Sequence, residues 1–299
     1  MLSLKDYISK PAILGASLLE HYGYWLPDQI YIKLLFHLKM GYKLDLKCPR
    51  TMNEKLQWLK LYDRKPDYTQ LVDKVTAKEI VADKLGEEYI VPTLGVWGRF
   101  ADIDFNKLPE QFVLKTNHSG GSTGVVICKD KSSFCIENAK KKLEKSLNSD
   151  ISWSLREWPY RNIERKILAE EYLGDDLTDY KFYCFNGSSD VVLNCIERNT
   201  GKPKFYFFDR DWNLCRLNKA GKEAPENFTL PRPEGIDEMF NIASRLSEGI
   251  PFARIDLYNI SGKIYFSEIT LYPDSGFDKN RLPEADVYFG DKIVLPSRS

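Results

Sequence analysis

Phe252-Ala-Arg-Ile-Asp-Leu-Tyr258, a Ser261-Gly262 turn and Lys263-Ile-Tyr-Phe-Ser-Glu-Ile-Thr270 combine strand-forming residues with charges in one short segment. Ile255, Leu257, Ile264, Tyr265, Phe266 and Ile269 are strand formers around a turn signal, so the segment reads as a β-hairpin. Arg254, Asp256 and Glu268 nevertheless sit inside it, and buried charges need partners. Side chains alternate along a strand, which puts Arg254 and Asp256 on one face and Glu268 and Thr270 on one face of the partner strand. A three-residue connection would set Asp256 opposite Glu268. Two carboxylates at that separation repel unless a proton or cation lies between them, and Mg²⁺ suits oxygen ligands of this kind. An internal salt bridge from Arg254 accounts for the same charges.

Upstream, Phe112-Val-Leu-Lys115-Thr-Asn-His-Ser-Gly-Gly-Ser-Thr-Gly124 places a lysine at the end of an apolar strand, directly before a loop of small residues. Such a loop can cradle phosphate. Glycines let backbone N–H groups approach an anion, Ser119, Ser122 and Thr123 add donors, and Lys115 supplies a point charge. The Walker A spacing is absent, since its lysine follows the glycines and this one precedes them. A glycine-rich hairpin loop with no ligand is the competing reading.

The 299 residues leave room for two or three packed lobes. Lys plus Arg and Asp plus Glu number 43 each, and a formal charge of zero removes the footprint of a nucleic-acid binder. Cys48, Cys128, Cys135, Cys184, Cys195 and Cys215 show no Cys-x-x-Cys spacing and read as reduced, buried thiols of a cytosolic protein. Three histidines, His21, His37 and His118, are too few for a histidine-rich zinc site. The N-terminal residues lack a secretory pattern, so a cytoplasmic location is expected. The apolar stretches 12–19 and 30–38 fall short of the about 20 residues a membrane span needs. In the second, Ile30, Tyr31, Leu34, Leu35 and Leu38 form a helical stripe, read as a core-packing face in preference to a membrane-surface one.

The first seventy residues read as helical, including an amphipathic piece at 53–62. A helix follows from Asp73 to Leu85 with Gly86 to end it. Short strands are expected at 112–115 and 124–128, a lysine-rich surface helix within 129–148, and further strands at 166–173, 179–185, 190–196 and 205–208. Asn186-Gly187 marks a hairpin turn. Residues 236–248 read as one more helix.

These pieces, in this order, resemble the ATP-grasp superfamily, which implies an α+β ATP-grasp fold, two α+β lobes enclosing a nucleotide. Lys115 and residues 118–124 look like its strand lysine and flexible glycine-rich loop, so Lys115, Ser119, Gly120, Gly121, Ser122 and Thr123 would meet ATP phosphate. Ala169-Glu170-Glu171-Tyr172-Leu173 is similar to its hinge, where Glu170, Glu171, Tyr172 and Leu173 would contact the nucleotide. Asp179 could reach the ribose, although a strand-end aspartate in water fits as well, and Lys181 shares its face. Asp256 and Glu268 would bind Mg²⁺, with Arg254 steadying phosphate or an acyl intermediate. The superfamily commonly has Asn two residues after the second acid; here Thr270 takes that place and would ligate more weakly.

The chain more closely resembles the TupA-like ATP-grasp family of bacterial surface polysaccharide assembly, over roughly residues 20–295. Asn53-Glu-Lys-Leu-Gln-Trp-Leu-Lys60, Leu71-Val-Asp-Lys74, Asp104-Phe-Asn-Lys-Leu-Pro109, Arg156-Glu-Trp158, Asp179-Tyr-Lys-Phe182 and Tyr272-Pro-Asp-Ser-Gly276 carry that likeness. It implies a helical N-terminal region at 1–72 and a linker helix and strand at 73–107. A central lobe at 108–174 and a C-terminal lobe at 175–299 with the metal hairpin would follow. The implied chemistry is carboxylate activation: ATP phosphorylates a carboxylate, and an amine attacks the acyl phosphate, with Arg254 and Lys115 catalytic and Gly120, Gly121 and Gly124 suiting a lid. A uronic acid of a glycan or its precursor, joined to an amino acid or amino alcohol, is the expected substrate pair. Peripheral membrane association would come through a lipid-linked glycan. Arg156, Tyr160 and Arg161 read equally as anion contacts or a surface loop. Rival readings are a metal-dependent glycosyltransferase built on Asp209-Arg210-Asp211, which also reads as a polar turn, a non-catalytic binding module, and a sugar kinase on the same fold.

Overall fold

The computed structural model describes residues 11–175, 177–197 and 203–297. The first part is helical: α1 (Pro11–Tyr22), α2 (Asp28–Met40), α3 (Met52–Tyr62), α4 (Tyr68–Val72) and α5 (Thr76–Leu85), with no strand among the described residues before 93. The helix expected from Asp73 starts at Thr76 and ends, as read, at Gly86. In α2 the buried stripe is Tyr31, Ile32, Leu35 and Phe36, while Ile30 and Leu34 face solvent, so the packed face lies one residue from the expected one.

Two antiparallel sheets follow. The smaller has strands β1 (Thr93–Trp97), β2 (Phe112–Thr116), β3 (Val125–Cys128) and β4 (Ile167–Glu171), in the order β1-β4-β2-β3. Phe112, Leu114, Ile167 and Ala169 point into a core closed by Ala139 and Leu143 of α6 (Ile136–Leu147). A short α7 (Ile151–Ser154) precedes β4. The larger sheet has β5 (Thr178–Phe185), β6 (Ser188–Ile196), β7 (Lys204–Asp209), β8 (Leu214–Cys215), β9 (Phe252–Ile260) and β10 (Lys263–Thr270), in the order β10-β9-β5-β6-β7-β8. Helices α8 (Lys219–Glu223), α9 (Ile236–Leu246) and α10 (Pro283–Lys292) complete the chain.

Alternation along β5 and β9 gives the larger sheet two unlike faces. Tyr180, Phe182, Ile255 and Leu257 meet α9, where Phe182 and Phe240 pack edge to face at 4.9 Å. On the other face, Tyr183 and Phe185 pack on Phe289 of α10, each at 5.5 Å, and further along lie Asp179, Lys181, Arg254 and Asp256. One strand therefore carries apolar packing on one side and charge on the other.

The hairpin of β9 and β10 closes differently from the expected three-residue connection. Ser261 (φ 51°) and Gly262 (φ 85°) form a two-residue turn with both residues left-handed, which matches the twist of a hairpin. A regular ladder from that turn would place Glu268 on the α9 face beside Phe266. Instead the register shifts between Phe266, which pairs with Leu257, and Glu268, which pairs with Asp256. A β-bulge at this point turns every later side chain of β10 over. Glu268 and Thr270 thereby join Asp256 and Arg254 on the charged face.

No disulfide occurs among the described residues. Cys128, Cys184 and Cys195 are buried as expected, but Cys48 and Cys135 are exposed, which corrects their reading as core thiols. No helix among the described residues is long and apolar enough to cross a membrane. Asp209 and Asn213 close a polar turn between β7 and β8, with the Asn213 backbone N–H donating to the Asp209 carboxylate at 2.7 Å.

Helix α3 is tied to the far end of the chain. Thr51 and Glu54 form a reciprocal capping box at its start. The Asn53 amide donates to the Asp278 carbonyl (3.0 Å) and the Asp286 carboxylate (2.9 Å) and accepts from the Asp278 N–H (3.0 Å). Asn53→Ala strands these buried partners, and we expect a loss of roughly 3 kcal/mol in urea unfolding, at the upper end of the cost of unsatisfied polar groups.

Candidate active site between the two sheets

The charged face of the larger sheet is a network of paired groups. Arg254 Nε and Nη2 donate to the two Asp256 oxygens at 2.7 and 2.8 Å. The same Nη2 reaches Glu268 Oε1 at 3.2 Å and Thr270 Oγ1 at 3.1 Å. Lys181 Nζ bridges Asp179 at 2.6 Å and Asp256 at 2.5 Å. The Arg254 salt bridge is therefore real, and it spans both carboxylates. Their environments diverge. Burial pushes the Asp256 carboxyl up despite Arg254 and Lys181, whereas at Glu268 the opposing burial is overcome by Lys74 and then Arg254, which hold it well below the usual carboxylate range.

The smaller sheet contributes Lys115. Its Nζ pairs with Glu170 Oε2 at 2.5 Å and lies 5.9 Å from the ring centre of Tyr258, which follows Asp256 on the same face of β9. Burial alone would lower the Lys115 pKa, but Glu170, Tyr258 and Glu268 together raise it, so the ammonium is held charged within electrostatic reach of the hairpin acids. Lys115, Asp256 and Glu268 thus converge across the two sheets.

Two lysines that the sequence reading left out complete the site. Lys74, just before α5, pairs with Glu268 at 2.9 Å and donates to the Ser119 carbonyl at 2.7 Å, tying the glycine-rich loop to the hairpin. Lys78 in α5 pairs with Glu170 at 2.5 Å and donates to the Val91 carbonyl at 2.8 Å. The four-residue spacing of Lys74 and Lys78 would pair them only on a helix begun at Asp73, and the helix begins at Thr76, so residue type and spacing alone do not mark them.

The remaining expected residues fall as follows. The Ser119 hydroxyl accepts from Thr116 at 2.7 Å in a buried cluster with Ser146, so it faces away from the loop's open side. Gly120, Gly121, Ser122 and Thr123 are exposed. Gly124 is buried: a Cβ there would lie 2.0 Å from Thr116 Oγ1 and 2.2 Å from Ser119 Oγ, so close packing explains it better than lid motion. Glu170 is enclosed between Lys78 and Lys115, Glu171 is exposed with its N–H donating to the Pro92 carbonyl at 3.1 Å, and Tyr172 and Leu173 are half-buried. Tyr160 lies within reach of Glu157 and Glu268, and burial first and then these carboxylates push its phenol well above its usual value. Arg156 is fully buried, its guanidinium 3.9 Å from the rings of both Tyr31 and Trp153, which makes it a structural anchor.

The family profile described as TupA-like ATPgrasp matches residues 54–294. The chain belongs to the TupA-like ATP-grasp family. Similar solved structures include D-alanine–D-alanine ligase of Bacillus anthracis, at 19% identity over 73% of this chain and 62% of that one, TM-score 0.41. The corresponding Helicobacter pylori ligase shows 14% identity over 81% and 69%, TM-score 0.42. N5-carboxyaminoimidazole synthetase of Staphylococcus aureus, complexed with ADP, shows 15% over 91% and 60%, TM-score 0.42. The match spans only 60% to 69% of those proteins' length. No curated protein matches the chain. ATP-grasp enzymes are ADP-forming ligases that use ATP with Mg²⁺.

The residues present fit that ion. Mg²⁺ takes one or two carboxylates and fills its remaining positions with phosphate oxygens and water. Asp256 and Glu268 would supply the carboxylates; here they share one guanidinium nitrogen of Arg254, with the Thr270 hydroxyl bonded to the same atom. No cluster of three or more His, Cys, Asp or Glu suited to a metal occurs among the described residues.

Glu170 offers a pH test. Lys115 and Lys78 outweigh burial and lower its pKa. An acid with a folded pKa below its unfolded value contributes stability that is complete above about pH 4.3 and is lost as pH falls toward the folded pKa. Glu170→Gln should therefore cost about 3 kcal/mol in urea unfolding at pH 7, and the gap to wild type should narrow as pH drops below 4. Gly124→Ala should lower stability by about 2 kcal/mol through overpacking, while Gly120→Ala, where nothing lies within 4 Å of the added Cβ, should change the unfolding midpoint negligibly.

Proposed function

We propose that this protein is an ATP-dependent carboxylate–amine ligase working through an acyl phosphate. The supporting observation is the convergence of Lys115, Lys74, Lys181 and Arg254 with Asp256 and Glu268 between the two sheets. Lys115, Lys181 and Arg254 would hold phosphate oxygens, and Asp256, Glu268 and Thr270 would hold the magnesium that neutralises charge developing during phosphoryl transfer. Gly120 to Thr123 form the exposed stretch of loop able to cover the nucleotide and exclude water from a labile acyl phosphate, with Glu170 fixing Lys115 and Lys78. Glu171, Tyr172 and Leu173 would line the adenine and Asp179 the ribose.

The carboxylate donor is a hexuronic acid of a bacterial surface polysaccharide or its precursor, and the amine an amino acid or amino alcohol. Support for that choice is the family alone, together with a site rich enough in cations to receive an anionic sugar. The protein would act in the cytoplasm, at the inner face of the membrane where a glycan is lipid-linked.

Calorimetry and product analysis test this. Mg²⁺-ATP should bind, and Lys115→Ala should weaken binding about tenfold or more, the worth of one charge-assisted hydrogen bond. ADP release from a panel of glucuronate, galacturonate and their oligosaccharides should require both the carboxylate and an amine, with hydroxylamine trapping a hydroxamate. A phosphorylated sugar without hydroxamate would make the protein a kinase, and no ATP binding would remove the reading altogether.

A further inference from the structure

Three segments singled out in the sequence take no part in the nucleotide site, yet they meet beside it: Asn53 to Lys60, Arg156 to Trp158, and Tyr272 to Gly276. Gln57 Nε2 donates to the Ser275 and Gly276 carbonyls at 2.9 and 2.8 Å. Lys60 Nζ donates to the Ser275 carbonyl at 2.7 Å and the Leu155 carbonyl at 2.9 Å. The Ser275 hydroxyl donates to the buried Glu157 carboxylate. These bonds fix a backbone that would otherwise be avoided, because Asp274 (φ 49°, ψ 24°) and Ser275 (φ 53°, ψ 25°) are consecutive left-handed residues, each costing about 1 kcal/mol or more.

What this frame presents is one side chain. Pro273, Ser275 and Gly276 are buried, while Asp274 between them is exposed, and no hydrogen bond or ion pair is found for its carboxylate among the described residues. The segment starts three residues after Thr270, the last side chain of β10 on the charged face, so chain length alone keeps Asp274 within about 14 Å of that face. Its carboxyl reaches solvent at the rim of the fold, where partial desolvation and then the neighbouring Asp278 outweigh the opposing Arg254, Arg281 and Lys181 and push its pKa up.

The site has a shortage that Asp274 meets. Lys74, Lys115, Lys181 and Arg254 suit phosphate and an anionic acceptor, and Glu170, Asp179, Asp256 and Glu268 are already engaged by them. An amine cosubstrate arrives at neutral pH as an ammonium ion and would be repelled everywhere except beside an unpaired acid. We propose that Asp274, held in place by Gln57, Lys60 and Ser275, is the carboxylate that docks the ammonium group of the amine cosubstrate. This rests on the ligase reading above. It also gives the N-terminal helices a direct role in the choice of amine.

Asp274→Asn keeps the shape, and Asn tolerates the left-handed conformation, so the fold is expected to survive. The uronate giving most ADP release in the panel is assayed with two amines, ethanolamine, which is cationic at pH 7, and hydroxylamine, which is uncharged there. The substitution should reduce kcat/KM for ethanolamine at least tenfold more than for hydroxylamine, mainly through KM. Equal losses with the two amines, or no loss with either, overturn the assignment. If wild-type protein releases no ADP with any uronate of the panel and hydroxylamine, the ligase reading itself falls and this inference with it.

Discussion

Everything in this structure follows from placing two carboxylates opposite each other in the interior of a β-hairpin. Asp256 is almost wholly buried and faces Glu268 across the ladder. Neither acid can remain ionised there without compensation, because removing an unpaired carboxylate from water costs several kcal/mol. The fold answers with cations from separate places in the chain: Lys74 from the start of α5, Lys181 from β5 and Arg254 from β9 itself. Packing of the helical region, the smaller sheet and the larger sheet is thereby coupled to the charge state of one hairpin.

The same pairing is compatible with the nucleotide binding proposed above. Arg254, Lys181 and Lys74 are groups that pair with phosphate as readily as with carboxylate. A magnesium–triphosphate would bring both a cation for the acids and anions for the lysines, so exchanging partners would leave no charge unpaired. Glu170 plays the complementary part in the smaller sheet. It holds the Lys115 ammonium charged despite its burial, whereas at Lys78 burial outweighs the same carboxylate and lowers the pKa.

Much of this was legible in the chain. The strands around Lys115, the strand read at 166–173 and found at 167–171, the Asn186-Gly187 turn and the helix read at 236–248 and found at 236–246 follow from alternation, helical period and turn chemistry. The pairing of Asp256 with Glu268 was also reached, though by a three-residue connection that the structure replaces with a tight turn and a bulge at Ser267. A bulge has no signature in residue type, since Ser267 is an unremarkable strand residue, and its effect is visible only once cross-strand partners are known. Lys74 and Lys78 stayed hidden for a related reason. Surface helices carry lysines routinely, and only tertiary packing distinguishes a solvated ammonium from one aimed at a buried acid. Gly124 was open to misreading because glycine serves mobility and close packing alike, and the hydroxyls of Thr116, Ser119 and Ser146 decide between them.

Helix α3 reverses the usual logic of an amphipathic helix. Asn53, Gln57 and Lys60, spaced by four and three residues, share one face, and all three are buried beside Leu56 and Leu59. Burial pulls the Lys60 ammonium down to about 7 and pushes the neighbouring Glu157 up, a penalty that an apolar stripe would avoid. A core built for stability alone would favour leucines at these positions. The donors of the polar stripe instead meet carbonyls of the strained segment and of Asp278 just beyond it, at distances of 2.7 to 3.0 Å. Such matching specifies one backbone conformation where apolar packing would tolerate several. The conformation specified is the one that turns the chain back from β10 and leaves Asp274 facing outward near the charged face. The N-terminal helices are therefore part of the site's framework, and their polarity is intelligible only through the loop they hold.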